Sequence, residues 1–570
     1  MSFVAAVAAG LPTDDAVPSR GAVDEVRHRD LAVAWNPSCP WVSTHDDGDT
    51  LVVLDGRLHN LGSPSAAQAE LLLQRYRQRG MELADGLLGD FVVIVLDRIT
   101  HTLLVGRDPL GVRPWYQASG AGGRHAGASD LATLAELHWV DTTVDEGAAI
   151  EYLAAVSASR GGTLYRGITT LRPGMTWLTD GAGARSFQHH RWDLAPDLEI
   201  SWEDAAQRCR TVLDVAVQSR IDGHPTPVCE ISGGLDSSAV VGTVARLGVD
   251  DVLVGRLIFD GPDADERAFS DAVIEHWGVP AVSAPPWLPT DEECLELTRS
   301  LRRPLPDPHF TMFVGLHRAL LARGRPDGMT GLGGDDAFVT SGIGSRVVSS
   351  VRLRDRTVLG QLVRWSLGNP RLAWTDLIRP TLHHLAPWRG DRLPGWVGLH
   401  ARKQAELPRL FRQPAKRVTG IAAIDDRIGN LTSGYDAAVL EQRALVADHV
   451  GRRDSHPFLD PRFVEATYGL DPWWPTRGDH TRALQIAAFG DRLPASVAER
   501  RSKADFAEVF WPQLVGEPTL QSVRTGPLAE AGWLDPTGFD RLTERAERGM
   551  ANAAIPLSRC VALDRWLRAL

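Results

Sequence analysis

The chain lacks the sulfur pattern of a metal-bound or disulfide-stapled protein. Its five cysteines, Cys39, Cys209, Cys229, Cys294 and Cys560, are odd in number and scattered, with no CxxC pair and no Cys/His zinc spacing. That excludes structural zinc and a disulfide framework and points to free thiols in a reducing cytoplasm. No uncharged apolar run approaches the roughly 18–20 residues of a membrane helix. The N-terminus, MSFVAAVAAGLPTDD, is apolar only briefly and has no basic flank, so it does not read as a secretory signal. Positive charge is not in excess: the net charge is −11, which removes the electrostatic case for nucleic acid or anionic lipid as a partner. There is no internal repeat and no glycine-rich loop ending in Gly-Lys-Ser/Thr, so no Walker A site.

What is present is an ordinary globular composition, 43% hydrophobic and 23% charged, on a chain of 570 residues. That length exceeds one core and implies at least two domains. The first 190 or so residues read as strands and turns. Leu51 to Leu54 is a β-branched strand, and Ala66 to Arg79 has helical periodicity stopped by Gly80. Gly89 to Leu96 and Thr102 to Val105 flank a hairpin turn, and Arg172-Pro173-Gly174 is another turn. After about residue 200 strands and helices alternate: strand Pro227 to Ile231, helix Ser237 to Leu247 closed by Gly248, strand Asp251 to Phe259, helix Asp265 to Trp277 closed by Gly278, strand Ala281 to Ala284. This rhythm predicts βαβ units on a parallel sheet. From about residue 341 onward mainly helices are expected, and Arg379 to Gly398 fits no single element.

The most informative segment is Ile231-Ser232-Gly233-Gly234-Leu235-Asp236-Ser237-Ser238, between a strand and a helix. Two glycines let backbone N–H groups approach an anion. The serine hydroxyls add donors, and the helix N-terminus adds partial positive charge. Asp236 is placed to hold Mg²⁺ on a bound phosphate.

SGGLDSS resembles the pyrophosphate loop of N-type ATP pyrophosphatases, closest to the asparagine synthetase and β-lactam synthetase branch. The resemblance implies ATP and Mg²⁺ as cofactors, with Ser232 to Ser238 on the pyrophosphate and a substrate carboxylate activated as an acyl-adenylate. Roughly 100 residues on, Met329-Thr330-Gly331-Leu332-Gly333-Gly334-Asp335-Asp336 is similar to the family's second acidic motif. It implies nucleotide contacts from Gly331 and Gly333 and a second Mg²⁺ ligand, Asp335, opposite Asp236. His456-Pro457-Phe458-Leu459-Asp460 resembles the PFLD segment, and Arg492-Leu493-Pro494 with Arg500-Arg501-Ser502-Lys503 resembles the "LP…R.K" segment. By that likeness Lys503 stabilises charge on the adenylate and the tetrahedral intermediate, and Arg482 is a second cation. Glu441, sixteen residues before Pro457, corresponds to the glutamate that deprotonates the attacking amine.

The likeness extends to the N-terminal region: Val105 to Tyr116 is similar to "GRDPLGVRPLY", Ala128-Ser129-Asp130 to "ASE", and Leu171 to Gly174 to the end of a glutaminase domain. The implied fold is α/β. A glutaminase-like (Ntn) α+β sandwich occupies residues 1–195. An adenine-nucleotide α-hydrolase-like, parallel-sheet synthetase domain with a helical C-terminal part occupies 196–570.

The departures narrow the function. Glutamine-using relatives carry an N-terminal cysteine nucleophile after Met1 is removed. Ser2 stands there, and the family's "NGEIYN" reads Leu54-Asp55-Gly56-Arg57-Leu58-His59-Asn60. A glutaminase domain that keeps its fold and loses its activity is expected. Leu332 stands where β-lactam synthetases carry a tyrosine, which speaks against β-lactam closure. The chain most resembles lasso-peptide cyclases, which join an Asp or Glu side chain of a precursor peptide to its N-terminal amine. The implied partners are that peptide, with a leader-binding protein and a leader peptidase. The 18 tryptophans serve cores or peptide contact. Alternatives are an asparagine synthetase using aspartate and ammonia, and a non-catalytic scaffold.

Overall fold

The computed structural model describes residues 4–8, 24–61, 65–154, 162–180, 183–222, 227–249, 251–261, 264–338, 395–398, 419–433, 435–472, 474, 482–500, 509–510, 514, 516–548, 550 and 553–570.

In the first region the strands β5 (Thr50–Leu58), β6 (Gly89–Asp97) and β7 (Thr102–Arg107) are near-continuous apolar runs because both their faces are buried. Leu51, Val53, Ile94 and Val105 enter a core shared with a second sheet. Val52, Leu54, Phe91 and Val93 face the opposite way, onto Leu72 and Leu73 of the helix Ser65–Arg79. That sheet has the order β12 (Gly183–Gln188), β11 (Met175–Asp180), β7, β6, β5, β4 (Val42–Asp46). The second runs β10 (Ile168–Thr170), β8 (Tyr116–Gly120), β9 (Arg124–Ala128), β1 (Val4–Ala8), β3 (Leu31–Trp35), β2 (Asp24–His28). Every pairing within both is antiparallel. The outer face of the second sheet is lined with alanines, Ala118, Ala126 and Ala128. It joins one core with Ile150 and Leu153 of the helix Glu146–Leu153 and with Leu557, Val561 and Trp566 of the helix Ala554–Ala569. The two regions of the chain are thus packed together by the C-terminal helix.

The second region holds a five-stranded sheet of order β15 (Ala281–Ala284), β14 (Leu253–Leu257), β13 (Val228–Glu230), β16 (Asp327–Met329), β17 (Arg453–Ser455), with every pairing parallel. The chain moves outward from β13 to β14 and β15, then returns to place β16 on the other side of β13. The strand order therefore reverses between β13 and β16. In open parallel sheets this is where the C-terminal strand ends leave a crevice for a ligand.

The helices Leu235–Arg246 and Arg267–Trp277 form as the sequence predicts, and Gly278 ends the second in the left-handed conformation, φ 62°. The expectation of helices beyond residue 341 holds for Ala422–Ser433, Tyr435–Val450 and Ala554–Ala569. It missed β17, a three-residue strand whose polar sequence Arg-Asp-Ser carries no apolar alternation. Of Arg379 to Gly398, only 395–398 are among the described residues. All five cysteines are free and buried. Trp115 and Trp566 are fully buried core residues. Among the described residues no helix is long and apolar enough to cross a membrane.

Candidate active site at the C-terminal edge of the parallel sheet

Parallel strands send their following loops to one edge, so three of the singled-out motifs meet there. SGGLDSS follows β13, the Gly331–Asp336 loop follows β16, and His456 to Asp460 follows β17. Because β13 and β16 pair directly, with Cys229 opposite Met329, the first two loops flank the switch point and touch. A Cβ on Gly331 would lie 2.5 Å from Ser237 N, and one on Gly334 would lie 2.1 Å from Asp236 Oδ1. Only glycine allows this approach. Gly233 adopts φ +82°, with Phe269 and Ser270 where a side chain would go.

The phosphate loop is shaped by its own hydroxyls. Ser232 N donates to Ser237 Oγ at 3.2 Å, Gly234 N donates to Ser232 Oγ at 3.2 Å, and Ser237 Oγ donates to Gly234 O at 3.3 Å. Leu235 opens the helix Leu235–Arg246. Ser238 Oγ is buried with no partner among the described residues.

Asp236 and Asp335 converge on one cation. Arg482 Nη1 donates to Asp236 Oδ1 at 3.0 Å, and its other terminal nitrogen pairs with Asp335. Both carboxylates are therefore within reach of a single positive centre. A pair of hard oxygen donors beside anion-cradling backbone suits Mg²⁺. Gln485, one turn beyond Arg482, also donates to Asp236 Oδ1, at 2.7 Å. The sequence motifs do not include Gln485.

Acidic groups accumulate behind this pair. Asp336 is pushed up to about 6 by burial and then by the charge of Asp236, with Arg427 opposing. Asp436 is pushed up to about 8 by burial and by Asp336. A divalent cation on Asp236 and Asp335 would work against both upward pushes.

Two further segments are tied to this edge. Arg500, the start of Arg-Arg-Ser-Lys, donates to Gly233 O at 3.3 Å, pairs with Glu266 at 2.6 Å and stacks on Phe269 at 4.1 Å. Lys503 itself lies outside the described residues. The PFLD aspartate, Asp460, is a structural residue: it caps the helix Pro461–Thr467 and pairs with Arg220 at 2.7 Å. Burial alone would raise it, but Arg462 and Arg220 hold it well below the usual carboxylate range.

Glu441 lies elsewhere, in the wall of a cavity of about 680 Å³ between the two regions. It accepts hydrogen bonds from Tyr116 of β8 and from Arg303. Burial would raise it, but Arg303 and Tyr116 together hold it below the ordinary glutamate value. No contact among the described residues links it directly to Asp236. A second cavity, about 540 Å³, opens at the ends of β14 and β15, lined by Ile258, Phe259, Asp260 and Ser283. The two share a wall: Leu288 and Val509 face the smaller, Trp287 and Phe510 the larger.

The segment standing for "NGEIYN" is given over to holding the regions together. Asp55 pairs with Arg453, and Arg57 donates to the carbonyls of Arg220 and Asp222. Asn60 bridges Gly86 O and Leu88 N. Ser2 lies outside the described residues.

The profile of the family described as asparagine synthase matches residues 208–568, and that of a glutamine amidotransferase domain matches 52–192. The chain belongs to the asparagine synthase family. That family comprises ATP-dependent carbon–nitrogen ligases. The glutaminase-like sandwich followed by a parallel-sheet synthetase domain is its architecture. A glutamine-hydrolysing asparagine synthetase of Bacillus subtilis is 25% identical over 223 residues, 36% of this chain and 35% of that protein. A fungal amidase, chry2 of Gibberella zeae, is 26% identical over 301 residues, 48% of this chain and 43% of its own. A Mycobacterium tuberculosis protein that carries the asparagine synthetase name provisionally is 27% identical over 183 residues. This chain spans only 28% of that protein's length.

Proposed function

We propose that the chain forms an amide bond by activating a carboxylate as an acyl-adenylate. The supporting observation is the convergence of Asp236 and Asp335, from two glycine loops at the switch point, on one cationic centre. On this reading Ser232 to Ser238 hold the phosphates, with Gly331 and Gly333 keeping the second loop close. Asp236 and Asp335 would hold Mg²⁺, which would supply charge neutralisation at the phosphates. Arg482 and Lys503 stabilise negative charge, and Glu441 accepts the proton of the attacking amine.

The substrate proposed is a lasso precursor peptide, closed to a macrolactam between its N-terminal amine and an Asp or Glu side chain. The larger cavity supports a substrate with more body than free aspartate, because 680 Å³ is within the roughly 300–1,000 Å³ of sites that enclose drug-sized ligands. A leader-binding protein and a leader peptidase are the partners that such a substrate requires. The commitment of Asp55 and Arg57 to interface contacts supports a first domain without glutaminase activity.

ATP–pyrophosphate exchange tests the reading, with aspartate, aspartate plus ammonium, or a leader-free core peptide as the carboxylate. Exchange and ring closure with the peptide alone are expected. Exchange with free aspartate would return the chain to asparagine synthesis. In Asp236→Ala exchange should vanish; exchange at the wild-type rate would dismiss the phosphate-loop assignment.

A further inference from the structure

The wall of the larger cavity carries a polar group built by both regions of the chain. Tyr116 comes from β8 of the first, Glu441 from the helix Tyr435–Val450, and Arg303 from the segment after the helix Asp291–Leu301. Tyr116 Oη donates to Glu441 Oε1, Arg303 Nη1 donates to the same oxygen, and Arg303 Nη1 also donates to Tyr116 Oη at 2.7 Å. All three line the cavity.

One nitrogen of Arg303 is divided between phenol and carboxylate, so it does not take both carboxylate oxygens in the bidentate way arginine often does. Glu441 Oε1 takes both hydrogen bonds. Oε2 accepts none from the described residues. The side chain is thus fixed through one oxygen and available through the other. Tyr116 is almost wholly buried, and burial, with the charge of Arg303 opposing and that of Glu441 reinforcing, keeps its phenol a proton donor. The cavity is also lined by Tyr152, Trp287 and Phe510, apolar surface that suits an amine carried on a peptide body rather than free ammonia.

We propose that the first domain is part of the amide-forming site: Tyr116, with Arg303, is a positioning residue that holds Glu441 toward a peptide amine seated in the 680 Å³ cavity. This rests on the acyl-adenylate reading above and adds the first domain's own contribution to it. In the step concerned, the amine nitrogen bonds to the activated carbonyl carbon. The acyl C–O bond to AMP breaks, AMP leaves with that electron pair, and the N–H proton passes to Glu441 Oε2 and on to solvent.

The two half-reactions separate this role from a structural one. In Tyr116→Phe, exchange should persist within about twofold while kcat for amide formation falls about 10–100-fold with little change in KM for the peptide. In a Glu441→Gln background the same substitution should add less than about twofold, since the tyrosine acts through the glutamate. Parallel loss of exchange and amide formation in Tyr116→Phe, or full additivity with Glu441→Gln, would overturn the proposal. Wild-type enzyme that catalyses no exchange with any carboxylate would instead dismiss the adenylation reading on which it rests.

Discussion

Replacing Gly334 by alanine probes the contact that makes the two motifs one site. The added Cβ would lie 2.1 Å from Asp236 Oδ1, 2.5 Å from its Cγ and 2.8 Å from its Cβ. A comfortable C···O contact begins at about 3.3 Å, so the carboxylate must retreat by about 1.2 Å. The clash is with a side chain, which can swing. Asp236 is held by Arg482 and Gln485, both flexible enough to follow, so the fold should survive. The position of the proposed metal ligand should not. A displacement of about 1 Å can lower a rate about 10²-fold, equivalent to about 2.7 kcal/mol in the barrier. Gly334→Ala should therefore reduce ATP–pyrophosphate exchange about 100-fold, with circular dichroism and the thermal midpoint close to wild type. Gly490→Ala is the control: its backbone is helical, φ −57° and ψ −30°, and the nearest atom to the new Cβ is Ile486 Cγ2 at 3.7 Å. Exchange in Gly334→Ala within about threefold of the control would show that Asp236 does not depend on this approach, and the reasoning would fail.

The buried cluster of Glu230, His317, Asp454 and Arg443 beneath the sheet predicts a stability effect. Arg443 pairs with Glu230 and, at 2.7 Å, with Asp454. Arg443→Met removes the guanidinium shared by two buried carboxylates, leaving His317 beside them, and should destabilise the protein by about 3–5 kcal/mol, read from urea unfolding; a loss below about 1 kcal/mol would mean that the remaining partners suffice. A pH dependence follows from His456, which burial drives down to about 4 despite the opposing charge of Asp454. Between that value and the ordinary histidine value near 6.5 the unfolded chain binds the extra proton. Stability is therefore full above about 6.5 and falls by about 3 kcal/mol as the pH drops to about 4. His456→Gln should flatten the fall of the thermal midpoint over that range, and an unchanged slope would refute it.

Residues legible in the sequence were those whose identity carries their role. SGGLDSS could be read because glycine, serine and aspartate between a strand and a helix suit an anion and a metal far better than a core; the Gly331–Asp336 loop was legible through its resemblance to the family's second acidic motif. Arg482 was legible through resemblance, and the structure places it on both carboxylates. Gln485, Asp436 and Arg303 were not legible, because glutamine, aspartate and arginine on helices and loops are usually solvated. Only their burial and partners distinguish them. β17 escaped for a related reason. Three polar residues become a strand only because β16 offers an open edge.

The amino-acid sequence by itself determined the strongly patterned local elements and the chemistry of the SGGLDSS loop, because backbone freedom, charge and hydroxyl donors are properties of the residues there. It also marked the first region as β-rich with a few helices, from its strand runs and turns, while the sandwich was implied by the resemblance. The tertiary structure alone decided that β13 and β16 are neighbours, which joins motifs about 100 residues apart. It alone brought Tyr116 to Glu441, 325 positions away. Strand order and domain packing are set by burial summed over whole faces, and no short segment of sequence contains that sum.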